Sequence, residues 1–333
     1  MMMEATTGEP QKLGGMATAT EKPQRKLELI REVMQNEWQA DAVLFRINNA
    51  FDNSDSSDIE AISGFSGSNG TAIVSKTEAL LAVDGRYTAQ AAQQVNSSVW
   101  EVVRYPDYNI IKMIKKIVKP GEELVISASA HSYNSYISIL KQAESMDVRV
   151  KVIDQYPIDR VLQENSLVID ENYTGDSVNS LCEKQLEKEG VLITDKETVS
   201  CLFGIRKKEL GADKGPVPRA IAFIPNGESP IVFCDLKAEF DNYKVASIKD
   251  FAKEMGKFSG YRVKIDYATC PASFVNTVLE LDCKVINCAS DYDKIKTSAE
   301  MEDQKLGAHK TGESFIRMLA HVDHIVETGA QLT

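Results

Sequence analysis

The chain has 333 residues, 43% hydrophobic and 26% charged. That is an ordinary globular composition with room for roughly two domains. Its net charge of -11 argues against nucleic-acid and anionic-membrane partners, because phosphate contacts need a basic surface. No apolar run approaches the roughly 18 residues of a membrane span.

The first 23 residues are rich in Gly, Thr and Ala and lack the basic and apolar regions of a signal peptide; disorder is expected there. Ordered structure is expected from about Lys26, where Leu27, Leu29, Ile30 and Val33 recur at helical spacing. Ala40–Phe45 reads as a buried strand. The Asn-, Asp- and Ser-rich stretch from Asn48 to Glu60 reads as a loop. Thr71–Ser75 and Ala79–Val83 are apolar runs joined by Lys76-Thr77-Glu78, the pattern of a hairpin. Its two runs are apolar on both faces, which places it centrally in a sheet covered on both sides. A helix after Tyr87, a strand at 100–103, a helix at 109–118, a strand at 123–126, a helix at 133–145 and a strand at 148–152 complete an α/β domain with a mixed sheet.

A second domain repeats the pattern. Val178–Glu189 reads as helix, Val191–Thr194 as strand and Thr198–Phe203 as helix or turn. Arg219–Ile224 and Ile231–Asp235 then flank Pro225-Asn226-Gly227, a good hairpin turn. The two hairpins lie at a constant offset of about 150 residues, which suggests an unequal duplication. Two unrelated domains sharing a hairpin is the other reading. From Thr297 the character changes. Thr297-Ser298-Ala299-Glu300 is a capping box, and Ala308, Phe315, Leu319, Val322 and Val326 trace one face of a long helix closed by Gly329. Several apolar side chains would lie in water along it, so fraying beyond Gly312 or pairing with a second copy is expected.

The chemistry-bearing candidates are few. Gly64–Gly70 has glycines at every third position, but a strand follows it instead of the helix N-terminus a phosphate cradle requires. A tight loop close to neighbouring backbone is the better reading. Asp84-Gly85-Arg86-Tyr87 ends a strand and opens a helix. Asp84 suits an N-cap accepting from Arg86 and Tyr87, and Arg86 suits a forked pair with a carboxylate. The alternative, a metal ligand at a strand end, lacks neighbouring acids. His321 and His324, with Glu327 a turn on, lie along one helix but not in a zinc-protease pattern, and only His131 and His309 remain. A solvated helix face is the simpler account. Glu183, Glu187 and Glu189 read as one charged helical face. The six cysteines (Cys182, Cys201, Cys234, Cys270, Cys283 and Cys288) form no C-x-x-C pair and read as reduced, mostly buried thiols. No catalytic, cofactor-binding or metal-binding residue is therefore assigned.

The Gly64–Ala72 loop followed by Asp84-Gly85-Arg86-Tyr87 resembles the N-terminal domain of aminopeptidase P, the Xaa-Pro aminopeptidases of the creatinase/prolidase family. Gly175-Asp176-Ser177, Val191–Thr194 and Leu202–Arg206 resemble the second domain of the three-domain members, with Phe203-Gly204 standing where the family has Leu-Asn. Ile295–Thr333 resembles the start of their catalytic domain. The resemblance implies two tandem creatinase-type domains, each a mixed sheet flanked by helices in a ribonuclease H-like motif, over 24–155 and 175–296. A linker at 156–174 and the opening helix of an absent pita-bread domain at 297–333 complete the scheme. It implies a parent that is a cytoplasmic, dimeric metallo-exopeptidase with two divalent ions, manganese by family habit, acting on peptides with proline second. None of that family's metal ligands has a counterpart here. The chain is then the inactive front of such an enzyme, serving substrate access and dimer assembly, or alternatively a peptidase-like scaffold that binds partners.

Overall fold

The structure is a computed structural model describing residues 21–46, 58–157, 167–169, 178, 181, 185–207, 217–234, 243–289 and 296–329. Among these, 21–46, 58–127 and 140–157 form one compact unit, and 128–139 joins the later residues in a second.

In the first unit, helix α1 (Glu21–Val33) starts earlier than its apolar spacing suggested and leads into a π-turn. Strands β1 (Ala42–Arg46), β2 (Gly70–Ser75), β3 (Ala79–Asp84), β4 (Glu101–Tyr105), β5 (Glu123–Ser127) and β6 (Arg149–Ile153) form one sheet in the order β4-β3-β2-β1-β5-β6. The β1–β2 and β2–β3 pairs are antiparallel and the outer pairs parallel. Helices α2 (Asp58–Ser63), α3 (Thr88–Gln94) and α4 (Ile110–Ile117) occupy the connections, together with α5 (Tyr133–Ser145), of which 140–145 belongs to this unit; α2 begins inside the stretch expected to be a loop. Ala72–Ser75 and Ala79–Val83 are buried at every position, so the hairpin is interior and covered on both faces, as its sequence requires. Its turn is tied by the Ser75 N–H donating to the Glu78 carbonyl at 2.8 Å. Beneath it Asp41 takes Lys76 Nζ at 2.8 Å and the Glu123 N–H at 2.9 Å. Those two bonds hold the Asp41 carboxyl below its ordinary range, the lysine contributing most.

The second unit contains β8 (Glu189–Ile193), β10 (Ala220–Pro225), β11 (Ile231–Cys234), β12 (Lys244–Ala246), β13 (Arg262–Ile265) and β14 (Lys284–Asn287), ordered β12-β11-β10-β8-β13-β14. Strand for strand it has the order and directions of the first sheet. Alternate residues feed two cores. Ile221, Phe223 and Phe233 pack with Phe251, Met255 and Val275 on one face, where α7 (Phe251–Met255) and α8 (Ala272–Glu280) lie. Ala222, Ile224 and Val232 pack with Val199 and Leu202 of α6 (Lys196–Phe203) on the other. This is the two-residue period of a strand read out in side chains. Residues 128–139 belong to this unit through the Ala272 N–H donating to the His131 carbonyl at 2.9 Å and the Tyr133 N–H donating to the Cys270 carbonyl at 2.9 Å. A short ribbon of β7 (Leu167–Ile169) and β9 (Ile205–Lys207) lies apart from both sheets, β7 falling in the stretch expected as connector. Helix α9 (Ser298–Thr328) is continuous past Gly312, with both halves of its capping box formed. Cys201, Cys234, Cys270 and Cys283 are buried thiols and Cys288 a half-buried one; burial pushes Cys270 up to about 12. Cys182 and Glu183 lie outside the described residues.

Glu189 corrects the sequence reading. Instead of ending a charged helical face, it opens β8 with its side chain 2% exposed. Its carboxylate takes Arg262 Nη2 at 3.2 Å, Lys264 Nζ at 3.0 Å and the Leu186 N–H at 3.1 Å. Arg262 is its register partner on β13, so the pairing depends on a strand some seventy residues on. The Leu186 hydrogen bond and then the lysine hold Glu189 below its ordinary carboxyl value of 4.5, against the opposing effect of burial. Glu254 on α7 is held down likewise, by Lys244 and Lys257 at 2.5 Å each.

Two outcomes follow from this packing. Ile73→Asp places an unpaired charge in a sheet closed on both faces; thermal unfolding should fall by about 10 °C or more, whereas Thr77→Asp on the exposed turn should leave it within error. Depressed acids stabilise the fold above their unfolded pKa and lose that contribution as pH falls through the folded value. Denaturant titrations should therefore show the contribution of these acids complete above about pH 4.5 and declining below it. Glu189→Gln should cost about 1–3 kcal/mol at pH 7 and flatten that decline; an unchanged slope would remove Glu189 from the acid response.

Candidate functional site

The two sequence motifs meet at one end of the first sheet. The Gly70 N-terminus of β2 is registered against Val83 near the end of β3, so the loop before one strand and the turn after the other are brought together. Phe65 is fully buried and meets the Tyr87 ring edge-on, with centroids 5.9 Å apart. Ser68 and Tyr87 hydroxyls lie 2.7 Å apart. Ser66 fixes the loop to α3: its N–H donates to Gln94 Oε1 at 3.0 Å, and its hydroxyl accepts from Gln94 Nε2 at 2.9 Å and Gln90 Nε2 at 3.1 Å. Gly67 crosses directly over Phe65. A Cβ there would lie 2.2 Å from the ring's Cζ, closer than any real contact allows.

Asp84 is the cap, as its position suggested, and among the described residues it accepts from Arg86 and not from Tyr87. The Arg86 N–H donates at 2.9 Å, Nε at 3.0 Å and Nη2 at 3.3 Å. The forked pair thus forms within the motif, and the Arg86 bonds hold the Asp84 carboxyl below its usual range. With both oxygens engaged by one cation, Asp84 is poorly suited to a metal. Arg104 Nε would lie 3.1 Å from a Cβ at Gly85, so that glycine admits the guanidinium against the main chain. Arg86 also stands over Tyr87, 5.6 Å from the ring centroid.

His309, His321, His324 and Glu327 are exposed on α9, while His131 is buried in the second unit. Among the described residues no three His, Cys, Asp or Glu side chains are grouped to hold a metal ion. The arrangement at the glycine loop is a locked junction between loop, strand end and helix, with no nucleophile–base pair among its bonds. Sequence reasoning found its glycines and its cap but missed the Ser66–Gln90–Gln94 network. The only available signal was the paired glutamines at helical spacing in the Thr88–Gln94 run. No helix among the described residues is long and apolar enough to cross a membrane.

Gly67→Ala should expel or tilt the Phe65 ring and cost about 1–3 kcal/mol, as overpacking does, with loss of near-ultraviolet tyrosine dichroism. Gly307→Ala on exposed α9, where an added Cβ meets nothing, should raise helix stability by up to about 1 kcal/mol. Equal effects at the two sites would contradict the locked junction.

The Creatinase/Prolidase N-terminal domain matches residues 27–161. Beyond it, the chain is 28% identical over 217 residues to a probable Xaa-Pro aminopeptidase P of Tuber melanosporum, covering 58% of this chain and 33% of that protein. A stretch of 45 residues is 60% identical to the corresponding protein of Neosartorya fischeri, 14% of this chain and 7% of that one. The chain therefore spans a third or less of the length of these curated relatives in its matched stretches. The fold of the crystal structure of X-prolyl aminopeptidase from Caenorhabditis elegans, described as a cytosolic enzyme with a di-nuclear active site, superimposes with a TM-score of 0.77 at 18% identity, over 94% of this chain and 57% of that one. Two mixed sheets flanked by helices are thus a known arrangement, and over residues 27–161 this chain carries an N-terminal domain of the creatinase/prolidase family.

Proposed function

We propose that this chain is the non-catalytic front of an Xaa-Pro aminopeptidase, shaping the approach of peptides with proline in second position and assembling the enzyme as a homodimer. The observation that carries the reading is the similarity to aminopeptidase P over 58% of the chain. The whole-chain likeness in fold adds support for architecture alone. On this reading 24–155 and 175–296 are tandem domains of one type, a view supported by their shared strand order and directions, 156–174 joins them, and 297–333 opens the catalytic part. The segment 1–23 precedes them and lies largely outside the described residues. The parent works in the cytoplasm, without nucleic-acid or membrane partners.

The family implies a pair of divalent metal ions, manganese being the usual one, that supply an activated hydroxide for peptide cleavage. The described residues do not fit such a pair, since none are grouped as ligands. No catalytic, cofactor or metal residue is assigned to this chain, and no step is derived through the ions. What the chain's own residues do is hold the glycine-loop junction rigid and present the exposed apolar face of α9. Phe315, Leu319, Val322 and Val326 on that face are all exposed. An inactive, peptidase-like scaffold that binds partners is the alternative.

The chain incubated with manganese and a peptide beginning Ala-Pro should release no alanine and retain less than one metal per chain by elemental analysis. Release of alanine would overturn the assignment. Sedimentation equilibrium should show a dimer; a monomer at micromolar concentration would remove the assembly role while leaving the first result intact.

A further inference from the structure

We infer that Arg206 is the positioning residue for α9, fixing the direction of the whole helix through Glu300. Helix α9 has no buried residue along its 31 positions. At 1.5 Å per residue it is a rod of roughly 46 Å, so its direction must be set where it starts. Only its first turn carries an ion pair to another element among the described residues: Arg206 Nη2 lies 3.8 Å from Glu300 Oε1, both side chains largely covered. A tilt of about 10° at such a joint would carry the far end roughly 8 Å.

The joint is built from two networks that share one carboxylate. On the helix side, Glu300 Oε2 accepts the Thr297 N–H at 2.9 Å and Thr297 Oγ1 accepts the Glu300 N–H at 3.2 Å, closing the capping box. On the β9 side, Arg206 Nη1 donates to Ser200 Oγ and, at 3.2 Å, to the Ile205 carbonyl; Ser200 Oγ itself donates to that carbonyl. Ser200 belongs to α6 and Arg206 to β9, which pairs with β7. Glu300 therefore ties the helix cap to the end of α6 and to the ribbon at once. The planar, five-donor guanidinium is what allows one side chain to serve Ser200, Ile205 and Glu300 together; a lysine ammonium cannot span them in a fixed plane.

Hydrogen exchange by mass spectrometry on the full chain tests this. Glu300→Gln keeps a residue that supports a capping box but removes the ion pair. Arg206→Lys keeps the charge but removes the fork. Each should speed exchange about tenfold both in Met301–Lys305 and in Ile205–Lys207, and the double variant should match the singles, because both break one joint. Thr297→Ala, which opens the cap and leaves the pair, should speed exchange in α9 alone. Glu300→Gln keeps the side chain's shape and its capping bonds, so this variant should fold even where the arginine variant does not. Exchange confined to α9 in Glu300→Gln, or a roughly hundredfold effect in the double variant, would overturn the inference.

Discussion

Closure of the central strands of each sheet on both faces governs the rest of this molecule. Where consecutive residues of a strand are buried, neither face can carry an unpaired charge, so ionisable groups in those strands sit at the strand ends. The hairpin β2–β3 obeys this through Ala72–Ser75 and Ala79–Val83, and β10–β11 through Ala220–Cys234, where all ten strand positions are buried. The ladder then brings strand ends together, and chemistry collects there. Asp41 meets Lys76 before β1, Glu189 meets Arg262 at the start of β8, and Asp84 holds Arg86 after β3. These pairs differ in weight. Asp84 is half-buried and Arg86 exposed, and the pair serves mainly as a turn lock. Glu189 is enclosed and would leave two cations without a counter-ion if removed.

The same constraint explains what could be read from sequence. Buried central strands are continuous apolar runs, and the runs at 71–75, 79–83, 219–224 and 231–234 stand out without any knowledge of their partners. The caps at Asp84 and Thr297 were equally legible, since the cap and the N–H it serves lie within three residues. Glu189 was not legible. Gln185-Leu186-Glu187-Lys188-Glu189 has helical composition, and the fact that makes Glu189 a strand residue is the register of β13 against β8. The outer strands β12 and β14 and the short strand β13 beside β14 were missed for a related reason. Their exposed or half-exposed positions carry lysine, arginine and asparagine, so a two-residue period is hard to see in four residues. The glycine loop lies between these cases. Its glycines were visible; the glutamines that hold it are two dozen residues away and become neighbours only when β2 and β3 pair.

The two units share strand order but spend their ends differently. In the first, the Gly70 end of β2 is occupied by the Phe65–Tyr87 contact and the Ser66 network. In the second, the described residues add the β7–β9 ribbon and the Arg206 joint. One strand order can carry different attachments at its ends, because the core is specified by apolar alternation and the ends are free to vary.

Helix α9 marks the limit of arguments from burial. Exposed Phe315 and Val326 suggested a helix that frays without a partner, yet it runs unbroken to Thr328. Isolated helices become marginal below about 12–15 residues, and α9 has more than twice that length, a complete capping box at one end and a left-handed glycine at the other. Gly307 and Gly312 each cost about 1 kcal/mol relative to alanine, too little to break a nucleus already formed on both sides. Backbone bonds and caps thus hold α9 as a helix, while packing contributes little to it. Its direction is a separate matter from its helicity, and among the described residues the Arg206–Glu300 pair is the charged contact between α9 and another element.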